Sequence, residues 1–259
     1  MKKRKNNTKF KKIIKKNKKN IFLAVLVLIL VFTVGRGGLH LIEKHAVSEV
    51  FSDQMPYTIR GVDVSHYQGE IDWKILKEQN ISFAFIKATE GSTYVDDRFD
   101  YNWHHAHKAK VKRGAYHFFN FEAEPKDQAK NFIHTVPKRK NALPPVVDFE
   151  TYGKYTSNPP SPEHIVPRLK EYIDIVEKHY DVQPIIYCNK YCYNKYIAGN
   201  FDNPIWLANP NMSPTLPGGK QWKFLQYSFW GELKGYNGIK HIDLNVFYGT
   251  KEQFWEEYY

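Results

Sequence analysis

Asp148 and Glu150 stand two residues apart in the run Pro145-Val146-Val147-Asp148-Phe149-Glu150. If that run is a strand, alternation puts Val146, Asp148 and Glu150 on one face and Val147 and Phe149 on the other. Two carboxyl groups on one side of an otherwise apolar strand cost free energy unless water or chemistry requires them, and the chemistry such a pair can do is proton transfer. Two other short runs repeat the device. In Gly61-Val62-Asp63-Val64-Ser65, Val62 and Val64 share a face and Asp63 takes the other; in Ile242-Asp243-Leu244-Asn245-Val246, aliphatic residues again alternate with an acid. Any one of these aspartates could be a loop cap or half of a surface ion pair. Acids on the polar side of three apolar strands together predict one wet, acidic pocket where the strands converge.

Such a pocket needs a scaffold that brings strand ends together. From Arg60 onward short apolar runs alternate with helical patterns, with candidate strands at 60–65, 83–88, 113–118, 145–150, 184–188, 205–209, 223–228 and 240–247. Ala129, Phe132, Ile133 and Val136 follow the i, i+3, i+4, i+7 spacing of a helix that buries one side, and Ile165, Leu169, Tyr172, Ile173 and Val176 repeat it. Ser161-Pro162-Glu163 gives the second helix an N-cap, a first-turn proline and a first-turn acid. The links between the last three strands are rich in Pro, Gly and Asn, as in Asn209-Pro210-Asn211 and 214–219, so the final third should lack crossover helices. Strands buried on both sides with helical crossovers imply an α/β fold, a closed β/α barrel whose reactive groups collect at the carboxyl ends of the strands. Asp63, Asp148, Glu150 and Asp243 all fit that rim. An open doubly wound sheet is the competing architecture, but no glycine-rich phosphate loop follows any strand, which disfavours nucleotide binding.

The chain has 259 residues, 42% hydrophobic and 16% aromatic, enough for one large domain with an appendage. Its formal charge of +11 resembles a nucleic-acid signal until the charge is located. Residues 1–20 hold eleven Lys or Arg and no acid, which leaves 27 basic and 27 acidic residues from residue 21 onward. That remainder is formally neutral, so no nucleic-acid partner is expected. Directly after the basic arm, residues 21–32 are apolar without interruption and Thr33-Val34-Gly35 follow. About fourteen apolar residues rise roughly 21 Å as a helix, against a hydrocarbon core of roughly 30 Å, so a cleaved secretory signal competes with an uncleaved anchor. No clear small-x-small cleavage site follows, the basic arm is long for a signal, and Lys19 and Arg36 could snorkel at the two ends. The expected organisation is a basic cytoplasmic arm at 1–20, a membrane anchor or signal segment at 21–38, a linker at 39–57 and a catalytic domain at 58–259 on the extracytoplasmic side. Cys188 and Cys192 fit buried small apolar side chains as well as a disulfide. His104, His105 and His107 diverge around a helix with no acid at ligand spacing, so neither a metal nor another cofactor is expected.

Seven segments in order give the domain a closer identity: 61–69 (Gly-Val-Asp-Val-Ser-His-Tyr-Gln-Gly) with Ile71-Asp72-Trp73, then 85–91 (Phe-Ile-Lys-Ala-Thr-Glu-Gly), 114–118 (Gly-Ala-Tyr-His-Phe), Asp148-Phe149-Glu150, Trp206-Leu207-Ala208, Gln226-Tyr227-Ser228 and Ile242-Asp243-Leu244-Asn245. On these the stretch from about residue 58 to 259 resembles the glycoside hydrolase family 25 lysozymes, muramidases of the Chalaropsis type. The resemblance implies an irregular TIM-like β/α barrel of five βα units followed by three strands, in keeping with the helix-poor final third. It implies hydrolysis of the β-1,4 bond between N-acetylmuramic acid and N-acetylglucosamine in peptidoglycan glycan strands.

By that resemblance Glu150 matches the general acid and Asp148 the second essential acid, with Asp63 and Asp243 lining the cleft. Carboxyls this close favour retention over the wider inverting arrangement, through attack by the substrate's own 2-acetamido group or a direct nucleophile. Tyr67, Tyr116, Trp206 and Tyr227 lie at matching rim positions for sugar faces, although in a chain with 18 Tyr and 17 Phe any one of them is more often core than subsite. Lys87 and Glu90 fit a family motif and equally an ion pair. Phe149 stands where many relatives have Val or Trp, a packing change only. No wall-binding repeat follows the barrel, so membrane tethering would keep a monomeric enzyme near its polymer. Two rivals are a non-catalytic glycan-binding barrel and a metal-dependent sugar deacetylase, the latter requiring His66 and His117 to converge with an acid.

Overall fold

The computed structural model describes residues 57–211, 214–238 and 241–258. The basic arm, the apolar segment and all of the linker but Tyr57 lie outside the described residues. Among the residues described, no helix is long and apolar enough to cross a membrane.

The strands are β1 (Arg60–Val64), β2 (Ile81–Glu90), β3 (Tyr94–Val95), β4 (Lys112–Phe118), β5 (Val146–Asp148), β6 (Ile185–Asn189), β7 (Ile205–Ala208), β8 (Phe224–Gly231) and β9 (Ile242–Phe247). The helices are α1 (Trp73–Glu78), α2 (Phe99–Lys108), α3 (Pro125–Thr135), α4 (Pro162–Tyr180), α5 (Lys190–Cys192), which runs into a π-helical turn at Tyr193–Ile197, and α6 (Lys251–Glu257). β1 pairs with both β2 and β9, so eight strands close into a barrel and β3 hangs on β2 as a short hairpin. Pairings run parallel from β1 through β8, whereas β9 is antiparallel to both β8 and β1. Helical segments follow the first five parallel barrel strands, and among the described residues no α-helix joins β7, β8 and β9, only a 3-10 turn at Pro217–Gly219 before β8, as the sequence implied.

Period-two alternation sorts the strands between two environments. Phe83, Phe85, Val146, Ile185, Trp206, Phe224 and Phe247 fill the barrel interior. Gly61 and Gly114 leave room for it: a Cβ at Gly61 would sit 2.4 Å from the Phe83 ring, and one at Gly114 2.7 Å from Phe85. The outer faces meet the helices. Ile165, Leu169, Tyr172, Ile173 and Val176 of α4 are all buried in the expected stripe; of the stripe expected for α3, Ala129, Phe132 and Val136 are buried and Ile133 is half-buried. Ser161 is the α4 N-cap residue and Pro162 its first residue, but the Ser161 side chain makes no capping bond to the helix.

Two expectations need adjustment. The fifth strand is three residues, not six, so Glu150 sits just past its end, where Phe149 N still bonds to Tyr187 O at 2.9 Å and keeps the chain extended. α6 follows the last strand and was not foreseen. Seven residues are too few to show a helical period, and the readable signal was the Thr250–Gln253 capping box. Phe254 and Tyr258 pack on Phe224 and Phe247 and close the barrel floor.

Candidate active site

The carboxyl ends of the parallel strands surround a hollow of about 500 Å3. Asp63 enters from β1, Asp148 from β5, Glu150 from just beyond it, and Asp243 from β9. Asp63 and Asp243 are cross-strand partners in the β1–β9 ladder, which places them side by side although 180 residues separate them. All four acids therefore line one cavity, the convergence their alternation implied.

The polar scaffold beneath them orders these groups. Asn245 Nδ2 donates to Asp63 Oδ2 at 2.7 Å, and Gln226 Nε2 donates to the same oxygen at 2.9 Å and to Asp243 Oδ2 at 3.3 Å. Each amide is itself oriented. The Trp206 indole donates to Asn245 Oδ1 at 2.8 Å, and the Tyr187 hydroxyl donates to Gln226 Oε1 at 2.7 Å. Neither Gln226 nor Asn245 was singled out from sequence as a site residue. The signal was there, since each is the inward polar residue of an apolar strand.

Burial pushes all four carboxyls toward the protonated form, and their surroundings spread them apart. Asp63 rises only to about 6, because the Asn245 and Gln226 amides stabilise its anion against desolvation. Asp243 rises to about 9 through burial and the Asp63 charge beside it, so near neutral pH it holds a proton that it shares with Asp63. Burial raises Glu150 first and the Asp63 charge adds to it, while Lys87 opposes. Burial and then the Glu150 charge push Asp148 well above the usual range, again against Lys87. Asp148 Oδ1 is buried with no hydrogen-bond partner among the described residues. An acceptor left bare in a cavity wall is an unmet demand for a donor.

The aromatic residues divide. Tyr67 and Tyr116 line the hollow, Tyr67 with half of its surface exposed. Trp206 also reaches the lining, but it is 2% exposed, stacked on Phe85 at 4.4 Å and committed to Asn245, a floor rather than an open sugar platform. Tyr227 does not reach it. Gln226 takes the inward position on β8, so its neighbour turns outward, where Tyr227 is buried beside Arg60. Phe229 and Trp230, which the sequence reading passed over, are 43% and 53% exposed at the rim. Adjacent strand residues should face opposite ways, but β8 shifts register against β9 between Gln226 and Ser228 and again before Gly231, and these bulges turn both rings to the mouth.

Lys87 also lines the hollow and pairs with Glu90 at 2.7 Å, so the motif position and the ion pair coexist. The histidines do not assemble a metal triad. His66 Nδ1 bonds Asp96 Oδ2 at 2.8 Å beside Tyr67, whereas His117 lies on the outer face of β4 between Thr89 and Gln128 and stacks on Tyr172 of α4. His66, Asp96 and Asp97 lie close enough to share a cation, but the Asp96 carboxylate already accepts from His66 N and Arg98 N. His104 and His105 each bond a carbonyl of their own helix. Cys188 and Cys192 are both buried free thiols.

The sequence model of glycosyl hydrolases family 25 matches residues 62–236. A family 25 glycosyl hydrolase from Bacillus anthracis has a similar structure, with a TM-score of 0.73 and 47% identity, covering 78% of this chain and 94% of that one. Lysozyme M1 of Streptomyces globisporus is 32% identical over 214 residues, 74% of this chain and 68% of its own length. The uncharacterized protein YegX of Escherichia coli K12 is 36% identical over 203 residues, 76% of this chain and 72% of its own.

Proposed function

Because this chain belongs to the glycosyl hydrolases of family 25, we propose that Glu150 is its general acid and that Asp148, Asp63 and Asp243 complete the catalytic hollow. The enzyme is a glycoside hydrolase of the lysozyme class that acts on peptidoglycan, cleaving between N-acetylmuramic acid and N-acetylglucosamine. The observation that carries the assignment of roles is the meeting of four acids from both ends of the chain in one sugar-sized cavity.

Glu150 is half-buried and holds its proton to higher pH than a free glutamic acid, which suits it to protonate the leaving glycosidic oxygen. Asp148 stands two residues away on the same side, a spacing that leaves little room for an activated water between the two. Retention follows. The unpartnered Asp148 Oδ1 is suited to accept the N–H of the substrate's 2-acetamido group and so to orient its carbonyl oxygen for attack on the anomeric carbon. Asp63, held anionic by Asn245 and Gln226, stabilises the positive charge that develops as the bond breaks. Tyr67, Phe229 and Trp230 flank the hollow as faces for sugar rings.

The apolar segment at 21–38 holds the enzyme, as a monomer, on the outer side of the membrane, a reading supported by the uninterrupted apolar run behind a basic arm. The deciding experiment is digestion of purified peptidoglycan followed by mass spectrometry. Products with reducing muramic acid ends and retained anomeric configuration are expected; reducing glucosamine ends or deacetylated intact strands would overturn the assignment.

A further inference from the structure

The formally neutral sum from residue 21 onward conceals an uneven distribution. The catalytic mouth is acidic, whereas the opposite end of the barrel is basic. Two links at that end, α2 to β4 and α3 to β5, carry Lys108, Lys110, Lys112 and Arg113 in the one and Lys138, Arg139 and Lys140 in the other, with no acid in either residues 108–113 or 136–145. Among the described residues none of the seven makes an ion pair, and Lys138, Arg139 and Lys140 are exposed in succession.

These charges crowd one another, and Lys138 Nζ turns to the His179 carbonyl at 3.0 Å rather than to an acid. Arg113 lies over the Trp103 ring at 4.4 Å and donates to Trp103 O, and its Nε has no partner among the described residues. Burial, and after it the Arg139 charge, lowers its pKa to about 10; Lys112 is lowered by burial and by Arg113. Like charges held together at a cost to the fold are a feature that an anionic partner would relieve. Beside them opens a cavity of about 480 Å3 lined by Lys138, Arg139 and Lys140 together with Trp103 and Pro144, with Asp181 and Glu257 its two acids.

The chain also enters the barrel at this end. Tyr57 packs on Trp222 at 5.2 Å and on Tyr248 at 5.6 Å, just before β8 and just after the antiparallel β9.

We propose that this basic end is a docking face for anionic phospholipid headgroups of the membrane that carries the chain, and that docking there turns the catalytic mouth outward toward the wall. The inference rests on the membrane reading of residues 21–38. A linker of about 18 residues could reach roughly 60 Å and fixes no orientation by itself. Surface attraction, by contrast, decays within about 8–10 Å at physiological salt and acts only on a face in contact with the lipid.

The test uses the full chain in vesicles of phosphatidylcholine with and without phosphatidylglycerol, reading amide hydrogen exchange across 108–113 and 136–145. Docking predicts exchange slowed by about fivefold or more with phosphatidylglycerol, restored by high salt and by the triple variant Lys138→Glu, Arg139→Glu, Lys140→Glu, with hydrolysis of soluble glycan fragments unchanged. Exchange indifferent to lipid charge would overturn the proposal, as would equal protection by soluble poly(glycerol phosphate) in phosphatidylcholine vesicles, which would assign the face to a wall polymer. Release of the chain from vesicles by high salt would sink the anchor reading alone, because phosphatidylglycerol-dependent protection at low salt would still identify the face.

Discussion

Asn245 can only donate to Asp63. Its Oδ1 is claimed by the Trp206 indole, a group that donates and never accepts, so Nδ2 must face the Asp63 carboxylate 2.7 Å away. A buried anion near neutral pH is thus maintained from the adjoining strand β9, by an amide that Trp206 of β7 holds in place.

Replacing Asn245 with Leu should remove that donor and raise Asp63 above its value of about 6. The acidic limb of the kcat/KM profile should move up by about one pH unit, with about twofold less activity at pH 7 and about tenfold less at pH 5. An unmoved limb accompanied by a merely lower thermal midpoint would mean that Asn245 only packs.

Asp243→Asn should be far milder than Asp63→Asn. Asn supplies a donor where protonated Asp243 supplies one, so activity at pH 7 should stay within about tenfold for the first and fall by about a hundredfold or more for the second. Stability carries a sign as well. With its pKa raised from 3.8 to about 9, Asp243 binds more proton in the native state than in the unfolded chain across that window, so stability declines as pH rises through it. Denaturant midpoints at pH 5 and pH 8 should differ less in Asp243→Asn than in the parent.

Glu150→Gln should fold normally and lose activity by about a thousandfold or more, measured as new reducing ends on purified peptidoglycan. Parent-like turnover by this variant would remove the general-acid assignment.

His117 is expected to govern part of the acid denaturation. Burial lowers its pKa from 6.5 to about 3, so between those values the unfolded chain binds the extra proton and stability is lost as pH falls. His117→Gln should flatten the pH dependence of the unfolding midpoint between pH 6 and pH 4; a slope identical to the parent's would assign the acid sensitivity elsewhere.

Trp230→Ala should raise KM for polymeric glycan by about three- to tenfold with a smaller change in kcat, since the ring stands 53% exposed at the rim, edge-on to His241. A loss confined to kcat would place Trp230 nearer the reacting bond than its exposure implies.

Alternation carried much of this architecture into the sequence. The same rule that put Asp148 and Glu150 on one face, and Asp63 and Asp243 on inward faces, also excludes Tyr227 once Gln226 is recognised as the inward residue of β8. What alternation cannot convey is its own interruption. The bulges in β8 that bring Phe229 and Trp230 together at the mouth depend on pairing with β9, a relation between distant segments. The α6 plug was missed for a related reason, because its length is too short for periodicity and its purpose appears only when Phe254 meets Phe224 and Phe247 across the closed floor. Gln226 and Asn245 were legible as polar interruptions, but their partners were not.

Closure of the barrel by β9 against β1 has a temporal meaning. Asp63 is made early and Asp243 late, and the cavity does not exist until the last strand has slotted between β8 and β1. A chain without β9 would lack Asp243 and Asn245 together and leave the hollow open between β8 and β1, so half of the acid scaffold and the closure of the sheet come from one and the same strand.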